Sequence, residues 1–398
     1  GNPSKKLKIV GVTGTNGKTT ITYIIENILK AAKRPAGVIG TINYRIGQRR
    51  MPARNTTPGP FELQALLGKM LKRGVEDVVM EVSSHSLDQG RVDHLLFDVG
   101  IFTNITKEHL DYHKTIDKYF DAKARLFHKL KKNGVAVLNN DDSMVAGLKR
   151  RIKSDLITYG LNHKSDVMAH NIRLSVDSSI FTIKTFKGSF EVKTKLIGKH
   201  NVSNILASAA AAIALRIPLN IIKRGIESLG AVPGRLEIID AGQPFKVFVD
   251  YAHTEDALYN VLSLLREIVP DRKIITVFGC GGNRDSLKRP LMGAVACKFS
   301  DRVILTSDNP RFEDPFVIIA QIESGIKGEF LNYDIVEERQ DAIHRALKLA
   351  RQGDVVVIAG KGHEKYQIIK DRMIPFDDCH VARSALKTIP PILKGGVE

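Results

Sequence analysis

The 398-residue sequence has no tryptophan, three cysteines and only 6% aromatic residues. Cys280, Cys297 and Cys379 are odd in number, scattered and outside any paired motif. That argues against a disulfide scaffold and a cysteine zinc site, and favours a reducing cytoplasm. Long apolar runs are missing as well. The longest, Ile205 to Leu215, is alanine-rich and falls short of the roughly 20 residues that span a bilayer, so no membrane partner is expected. There is no internal repeat and no low-complexity segment. The start, Gly1-Asn-Pro-Ser-Lys-Lys, is polar, lacks Met and shows no signal peptide; Gly1 reads as a tag remnant with natural sequence missing before it. Acidic residues are fewer than basic ones, 43 against 60, giving a formal charge of +17. Such a charge suits nucleic acid, a membrane surface or a polyanionic small substrate. The basic residues are spread along the chain, and no RNA-binding or zinc-finger pattern accompanies them. With few aromatics to stack on bases, no nucleic-acid partner is expected.

What the chain does have is a composition 43% hydrophobic and enough length for two or three domains with sizeable cores. Gly11 to Thr20 read Gly-Val-Thr-Gly-Thr-Asn-Gly-Lys-Thr-Thr, between an apolar run (Leu7 to Val12) and a helical pattern (Thr20 to Leu29). A glycine-rich turn from a buried strand into a helix gathers backbone N–H groups around a phosphate, at the positive end of the helix dipole. Lys18 is placed for the outer phosphates and the Thr19 hydroxyl for Mg²⁺. The match to the general phosphate-loop pattern is imperfect, because Val12 stands where its first glycine belongs. The plainer alternative is an ordinary strand-to-helix turn.

Short apolar runs at Val78 to Val82, Val99 to Thr103 and Val135 to Leu138 alternate with helical stretches. This predicts a parallel sheet covered by helices, with ligands at the carboxyl ends of the strands. Polar clusters follow those ends. Glu81 closes one strand and is a plausible Mg²⁺ ligand or a surface acid; Ser83, Gln89 and Arg91 suit phosphate and sugar contacts. In Asn55-Thr56-Thr57-Pro58 the hydroxyls either grip a ligand or bond their own backbone. His109 and His113 have the spacing of a zinc pair, but no HExxH pattern and no obvious third ligand accompany them. Lys123 lies on an amphipathic helical stretch and by physics alone is an exposed helix lysine. From about Ser165 to Leu196 the period becomes two, predicting a small antiparallel excursion. Then His200, Asn201 and Asn204 open an alanine-rich buried helix, either bonding a base edge or capping the helix. Past Ala231-Val-Pro-Gly-Arg235 a second β/α series begins, with strands at Val247 to Val249, Ile274 to Phe278, Val303 to Leu305 and Val355 to Ile358. Asp250 to His253, Gly279 to Arg284, Ser307 to Arg311 and Gly360 to Glu364 are the polar clusters that follow them. The domain boundary is placed near Glu237, giving residues 1–236 and 237–398.

Taken together, these ordered motifs resemble the Mur ligases, which build the peptide of the bacterial cell wall, over nearly the whole chain. Asn55-Thr-Thr-Pro58, Glu81-Val-Ser-Ser-His85, Gln89-Gly-Arg91 and Ser307-Asp-Asn-Pro-Arg311 are similar to the members that add the third residue. The resemblance implies an α/β protein: a phosphate-loop central domain that binds ATP, then a Rossmann-like C-terminal domain that binds the incoming amino acid. It implies ATP contacts at Gly14, Thr15, Asn16, Gly17, Lys18, Thr19 and Thr20, adenine contacts at His200, Asn201 and Asn204, and contacts from the C-terminal domain at Arg235, Asp250 and His253. Two Mg²⁺ ions would be served by Thr19 and Glu81 and by His109 and Lys123, the lysine being carbamylated; Lys18, Lys123 and His109 carry the chemistry. Asn55, Thr56, Thr57, Ser83, Gln89 and Arg91 would hold UDP-MurNAc-L-Ala-D-Glu. Arg284, Asp308, Asn309, Arg311, Gly360 and Glu364 would hold meso-diaminopimelate. The reaction implied runs through an acyl phosphate in a cytoplasmic, monomeric enzyme, with closure of the last domain over the site. Full-length members carry an N-terminal domain for the uridine, for which there is no room before Gly14; ATP binding with a weakened hold on the sugar nucleotide is therefore expected. L-Lysine is the alternative added residue. Folylpolyglutamate and cyanophycin synthetases fit the motifs less well. A nucleic-acid-dependent ATPase or a binding module is the alternative from another class.

Overall fold

The computed structural model describes residues 3–388. It divides into two compact units, residues 1–230 and 231–398. The division falls six residues before the boundary expected at Glu237. The Pro-Gly-Arg turn belongs with the second unit because its backbone is tied there: Tyr251 N donates to Gly234 O at 2.9 Å and Leu236 N to Asp250 Oδ2 at 2.7 Å.

Unit 1 is built on one eleven-stranded sheet. Its strands are β1 (Lys8–Thr13), β2 (Ala36–Ile39), β3 (Asn43–Ile46), β4 (Arg49–Pro52), β5 (Asp77–Glu81), β6 (Phe97–Phe102), β7 (Leu130–Asn139), β8 (Asp155–Gly160), β9 (Val167–Leu174), β10 (Ser179–Thr185) and β11 (Gly188–Thr194). The order is β11-β10-β9-β8-β7-β6-β1-β5-β2-β3-β4. The centre is parallel: β1 lies between β5 and β6, with β7 and β8 continuing on one side and β2 on the other. Antiparallel strands extend both edges, β9-β10-β11 at one and β3-β4 at the other. The period-two stretch thus forms the expected antiparallel excursion, as an extension of the main sheet.

Central strands covered on both faces need continuous apolar sequence, and β1 and β5 have it, with Ile9, Val10, Val12, Val78, Val79 and Met80 buried. The helix Lys18–Ala31 covers one face through Ile21, Ile24, Ile25, Ile28 and Leu29, a stripe at three- and four-residue spacing. Because β5 is followed by β6 on the opposite side of β1, the order reverses there. Such a reversal opens a crevice at the carboxyl ends of the strands.

Unit 2 has a six-stranded sheet made of β12 (Glu237–Ile239), β13 (Lys246–Asp250), β14 (Ile274–Phe278), β15 (Arg302–Leu305), β16 (Tyr333–Ile335) and β17 (Val355–Ala359). The order is β12-β13-β17-β14-β15-β16, parallel except for the edge strand β12. A separate hairpin, β18 (Tyr366–Ile369) and β19 (Arg372–Pro375), follows β17. Strand β17 returns between β13 and β14, so polar loops after β13, β14, β15 and β17 leave the same end of the sheet. Among the described residues no helix is long and apolar enough to cross a membrane.

Candidate functional site

In unit 1 the loop after β1 is shaped by two glycines in backbone conformations unfavourable to other residues. Gly14 has φ 142° and Gly17, capping the following helix, has φ 90°. A Cβ on Gly14 would sit 1.8 Å from Thr103 Oγ1, and one on Gly17 would sit 2.3 Å from Asn204 Oδ1. Close packing therefore holds the loop on both sides. Thr15 N donates to Asn104 O at 2.8 Å, Asn16 N to Asn104 Oδ1 at 2.9 Å, and Thr103 Oγ1 to Asn16 O at 2.6 Å. The Lys18 ammonium donates to the Gly14 and Thr15 carbonyls at 2.8 and 2.7 Å, and Thr20 is buried in the first helical turn. The missing first glycine at Val12 costs the loop nothing, because Val12 lies inside β1 and is wholly buried.

Glu81 is the last residue of β5 and buried. Its carboxylate accepts from Thr19 Oγ1 at 3.0 Å, from Thr41 N at 2.9 Å and from Thr41 Oγ1 at 2.9 Å. These three donors are neutral, so none of the bonds brings a positive charge to the carboxylate. Buried oxygens of a threonine and a carboxylate, 3.0 Å apart beside the phosphate loop, are the hard donors that Mg²⁺ takes. Among the described residues no three His, Cys, Asp or Glu side chains converge as a metal cage. Any ion here would therefore complete its shell from ligands other than such a cage, such as hydroxyl, phosphate and water.

The Asn55-Thr-Thr-Pro58 loop packs against this corner. Thr56 Oγ1 lies 3.0 Å from Thr41 Oγ1, while Thr57 Oγ1 donates to Glu81 O at 2.8 Å and accepts from Ser83 N at 3.1 Å. Ser83 caps the short helix Ser84–Asp88. Arg91 reaches back to Thr57 O at 3.0 Å, and its guanidinium also grips Gln89 Oε1, at 2.9 and 2.6 Å. Asn55 itself is exposed.

Lys123 departs furthest from its sequence reading: it is 1% exposed. Its amine donates to Gly14 O at 2.8 Å and lies 4.2 Å from the centre of the Tyr119 ring. Burial pushes its pKa well below the ordinary lysine value; nearby Lys18 adds to this and Glu108 opposes it. His109, left-handed at φ 55°, sits in a ring cluster 4.8 Å from His85 and 6.1 Å from Tyr119. Desolvation lowers its pKa, with Glu108 opposing. His113, four residues on, packs against the same rings, 5.5 Å from His85 and 5.2 Å from Tyr119, with its Nε2 3.0 Å from Ser84 Oγ. Farther along, Asn201 donates to Ile197 O at 2.8 Å and Asn204 to Asn201 Oδ1 at 3.2 Å, whereas His200 is exposed.

In unit 2, Asp250 ends β13, buried, and accepts from Leu236 N and Ala252 N. Burial raises its pKa, and Arg235 partly offsets this. The Arg235 guanidinium lies 5.0 Å from the Tyr251 ring centre, and its buried Nε has no hydrogen-bond partner. His253 Nδ1 lies 2.9 Å from Tyr251 O. After β15, Asp308 and Asn309 are buried, and Arg311 adopts φ 53°. Arg311 donates to Gly282 O at 2.8 Å. Glu313, two residues on, pairs with Arg289, fully buried, at 2.7 Å. Asn309 Nδ2 donates to Glu364 Oε2 at 2.9 Å, and Gly360, at φ 110°, would place a Cβ 3.4 Å from Asp308 Oδ2. Arg284 is exposed.

The fold thus gathers the first-unit motifs into one corner and Asp308, Asn309, Gly360 and Glu364 into a second cluster. Sequence reasoning missed Thr41, Asn104, Tyr119, Arg289 and Lys361. Thr41 and Asn104 each come two residues after a strand, so the rule that polar residues at strand ends gather ligands would have found them. Lys361, two residues after β17 and inside the Gly360 to Glu364 cluster, falls under the same rule; nothing local marks Tyr119 or Arg289.

The family model described as "Mur ligase middle domain" matches residues 12–212, and the one described as "Mur ligase, glutamate ligase domain" matches residues 234–362. The chain is 47% identical over 393 residues to a protein of Geobacillus kaustophilus named UDP-N-acetylmuramoyl-L-alanyl-D-glutamate--2,6-diaminopimelate ligase, covering 97% of this chain and 80% of that one. A protein of the same name from Solibacter usitatus is 46% identical over 97% of this chain and 78% of its own length. A solved structure carrying that enzyme name superposes with a TM-score of 0.71 at 37% identity, covering 96% of this chain and 79% of that one.

Proposed function

Since the chain belongs to the Mur ligase family, we propose that it joins meso-diaminopimelate to UDP-MurNAc-L-Ala-D-Glu at the expense of ATP, in peptidoglycan precursor synthesis. The observation that carries the choice of amino acid is in unit 2. Arg311 and Glu364 bring opposite charges to one loop cluster: Arg311 N donates to Ile368 O at 3.0 Å, Ile368 N to Asn309 Oδ1 at 2.9 Å, and Asn309 Nδ2 to Glu364 Oε2 at 2.9 Å. An amino acid whose far end bears a carboxylate and an ammonium matches both; L-lysine matches only Glu364. A guanidinium takes a carboxylate bidentately, and a site built for a polar group discriminates strongly against an analogue lacking it. Asp308, Asn309, Gly360 and Arg284 are assigned to the same ligand.

In unit 1, residues 14–20 would cradle the phosphates, with Lys18 exchanging the Gly14 and Thr15 carbonyls for phosphate oxygens, and Asn201 and Asn204 beside the adenine with His200. Thr19 and Glu81 would hold one Mg²⁺; His109 and Lys123 would serve a second. Bound Mg²⁺ supplies positive charge that offsets repulsion between the attacking carboxylate and the phosphates. Its pKa pushed down by burial, the Lys123 ammonium can lose a proton to water and the neutral amine add to CO₂: a C–N bond forms as one C–O π bond opens, a second nitrogen proton goes to water, and the neutral amine becomes an anionic oxygen donor. Thr56, Thr57, Ser83, Gln89 and Arg91, with Asn55 at the rim, are assigned to the muramoyl dipeptide. Its side-chain carboxylate of D-Glu attacks the γ-phosphorus, forming an acyl phosphate as the bond to ADP breaks. The amine then attacks the acyl carbon and phosphate leaves.

The test is ADP release with UDP-MurNAc-L-Ala-D-Glu, comparing meso-diaminopimelate, L-lysine and nucleic acid as the second substrate. Diaminopimelate-dependent release is expected; equal kcat/KM with L-lysine would overturn the choice of amino acid, and release driven by nucleic acid alone would overturn the ligase reading.

A further inference from the structure

Lys361 is a fully buried lysine in the second cluster, and nothing above gives it a task. Two left-handed glycines turn the chain on either side of it, Gly360 at φ 110° and Gly362 at φ 53°. A Cβ on Gly362 would sit 2.8 Å from Tyr251 Cα, so the turn is locked. The Lys361 ammonium meets three side-chain oxygens: Asn309 Oδ1 at 3.0 Å, Asp308 Oδ1 at 3.3 Å and Glu364 Oε2 at 3.3 Å.

Resting on the diaminopimelate reading given above, we propose that Lys361 is a positioning residue that sets Glu364 to receive the distal ammonium of the incoming amino acid. Two features carry this. The first is orientation. Asn309 Oδ1 accepts from both Lys361 and Ile368 N (2.9 Å), which forces the amide nitrogen toward Glu364. Lys361 and Asn309 then hold Glu364 through one oxygen, Oε2, and neither bond uses Oε1. The carboxylate is fixed with one oxygen left to offer. The second is charge. The Lys361 ammonium lies 3.3 Å from Asp308 and 3.3 Å from Glu364, so the three formal charges sum to one negative charge, in a region from which water is largely excluded. One arriving ammonium neutralises the group. Without Lys361 the formal sum is two negative charges, and repulsion between the carboxylates would turn Glu364 away.

This separates the site into two subsites, Arg311 for the distal carboxylate and the Lys361-set Glu364 for the distal ammonium. The analogue that distinguishes them is 2-aminopimelate, which keeps the carboxylate and lacks the ammonium. Initial rates would be measured at saturating ATP and UDP-MurNAc-L-Ala-D-Glu for the unaltered chain, Lys361→Met and Lys361→Arg. For Lys361→Met the KM for diaminopimelate is expected to rise about thirtyfold, with kcat changed less than about threefold and the KM for 2-aminopimelate moved less than about twofold. Lys361→Arg keeps the charge and is expected to fall between the unaltered chain and Lys361→Met for diaminopimelate alone. A merely structural lysine would move both amino acids together. Should Lys361→Met fail to fold, Lys361→Arg still decides: an equal KM shift for both amino acids, or none for either, overturns the proposal. If the unaltered chain shows no diaminopimelate-dependent turnover, the substrate assignment falls and this proposal with it; turnover with equal shifts overturns this proposal alone.

Discussion

Among the described residues each unit buries one lysine, and the two have opposite surroundings. Lys123 in unit 1 has a backbone carbonyl, an aromatic ring and a second lysine for neighbours, with Glu108 giving partial relief. Lys361 in unit 2 touches two carboxylates and an amide oxygen. Burial disfavours a charged amine unless opposite charge accompanies it. Lys123 is thereby pushed toward its neutral amine, whereas Lys361 sits 3.3 Å from each of two acids. The same residue at the same depth acquires its surroundings from its partners: Lys361 lies 3.3 Å from each of two carboxylates, whereas the hydrogen bonds of Lys123 and of the Glu81 carboxylate go to neutral groups.

The largest expected effect breaks the comparison at Lys123. Lys123→Ala should lower kcat by about a thousandfold or more while the fold persists, because it removes a group assigned to the charged transition state. Short carboxylic acids should partly restore turnover by supplying oxygen donors; full activity in the alanine variant would remove Lys123 from the chemistry. A buried arginine extends the contrast to stability. Arg339 and Asp378 are both fully buried and paired at 2.8 Å. Asp378→Ala should destabilise unit 2 by about 3–5 kcal/mol, since it strands the guanidinium, as read by denaturant unfolding. Smaller in expectation is Arg311→Ala, for which the ratio of kcat/KM for diaminopimelate to that for L-lysine should fall about 10–100-fold. An unchanged ratio would return Arg311 to a role in anchoring its loop through Gly282 O.

The smallest effect sharpens the comparison through pH. The folded pKa of Lys123 is depressed, so between that value and the ordinary lysine value of about 10.4 the unfolded chain holds one more proton than the folded one. Stability from this group therefore rises with pH across that window, is fully recovered above it, and is lowest below the folded pKa. Lys123→Met removes the penalty. In CO₂-free buffer at neutral pH it should melt on the order of 2–4 °C higher than the unaltered chain, with the difference closing by about pH 10.4. Lys361→Met, which strands two acids, should melt lower. Melting changes of the same sign for both would show that their surroundings do not differ as described.

Much of the frame was legible beforehand. The apolar runs anticipated β1, β5, β6, β7, β13, β14, β15 and β17, because strands covered on both faces must be apolar throughout. Strand β8 was not marked, since its first residues, Asp155 and Leu156, are exposed and its pattern reads as mixed. The short strands β2 to β4 escaped for a related reason: four residues each give too little periodicity, and β4 is largely exposed.

The sequence by itself determined the phosphate loop, the strand-end acids and the order of the polar clusters, since these depend on glycine conformation, hydrophobic period and neighbours a few residues apart. Only the tertiary structure decided what those residues meet. Lys123 on its amphipathic helix reads as solvent-facing, yet its amine bonds a carbonyl 109 residues earlier. Lys361 meets Asp308 and Asn309 from 53 and 52 residues away. A lysine's charge state is set by the water excluded around it and by the charges brought beside it, and both depend on contacts between strands distant in the chain.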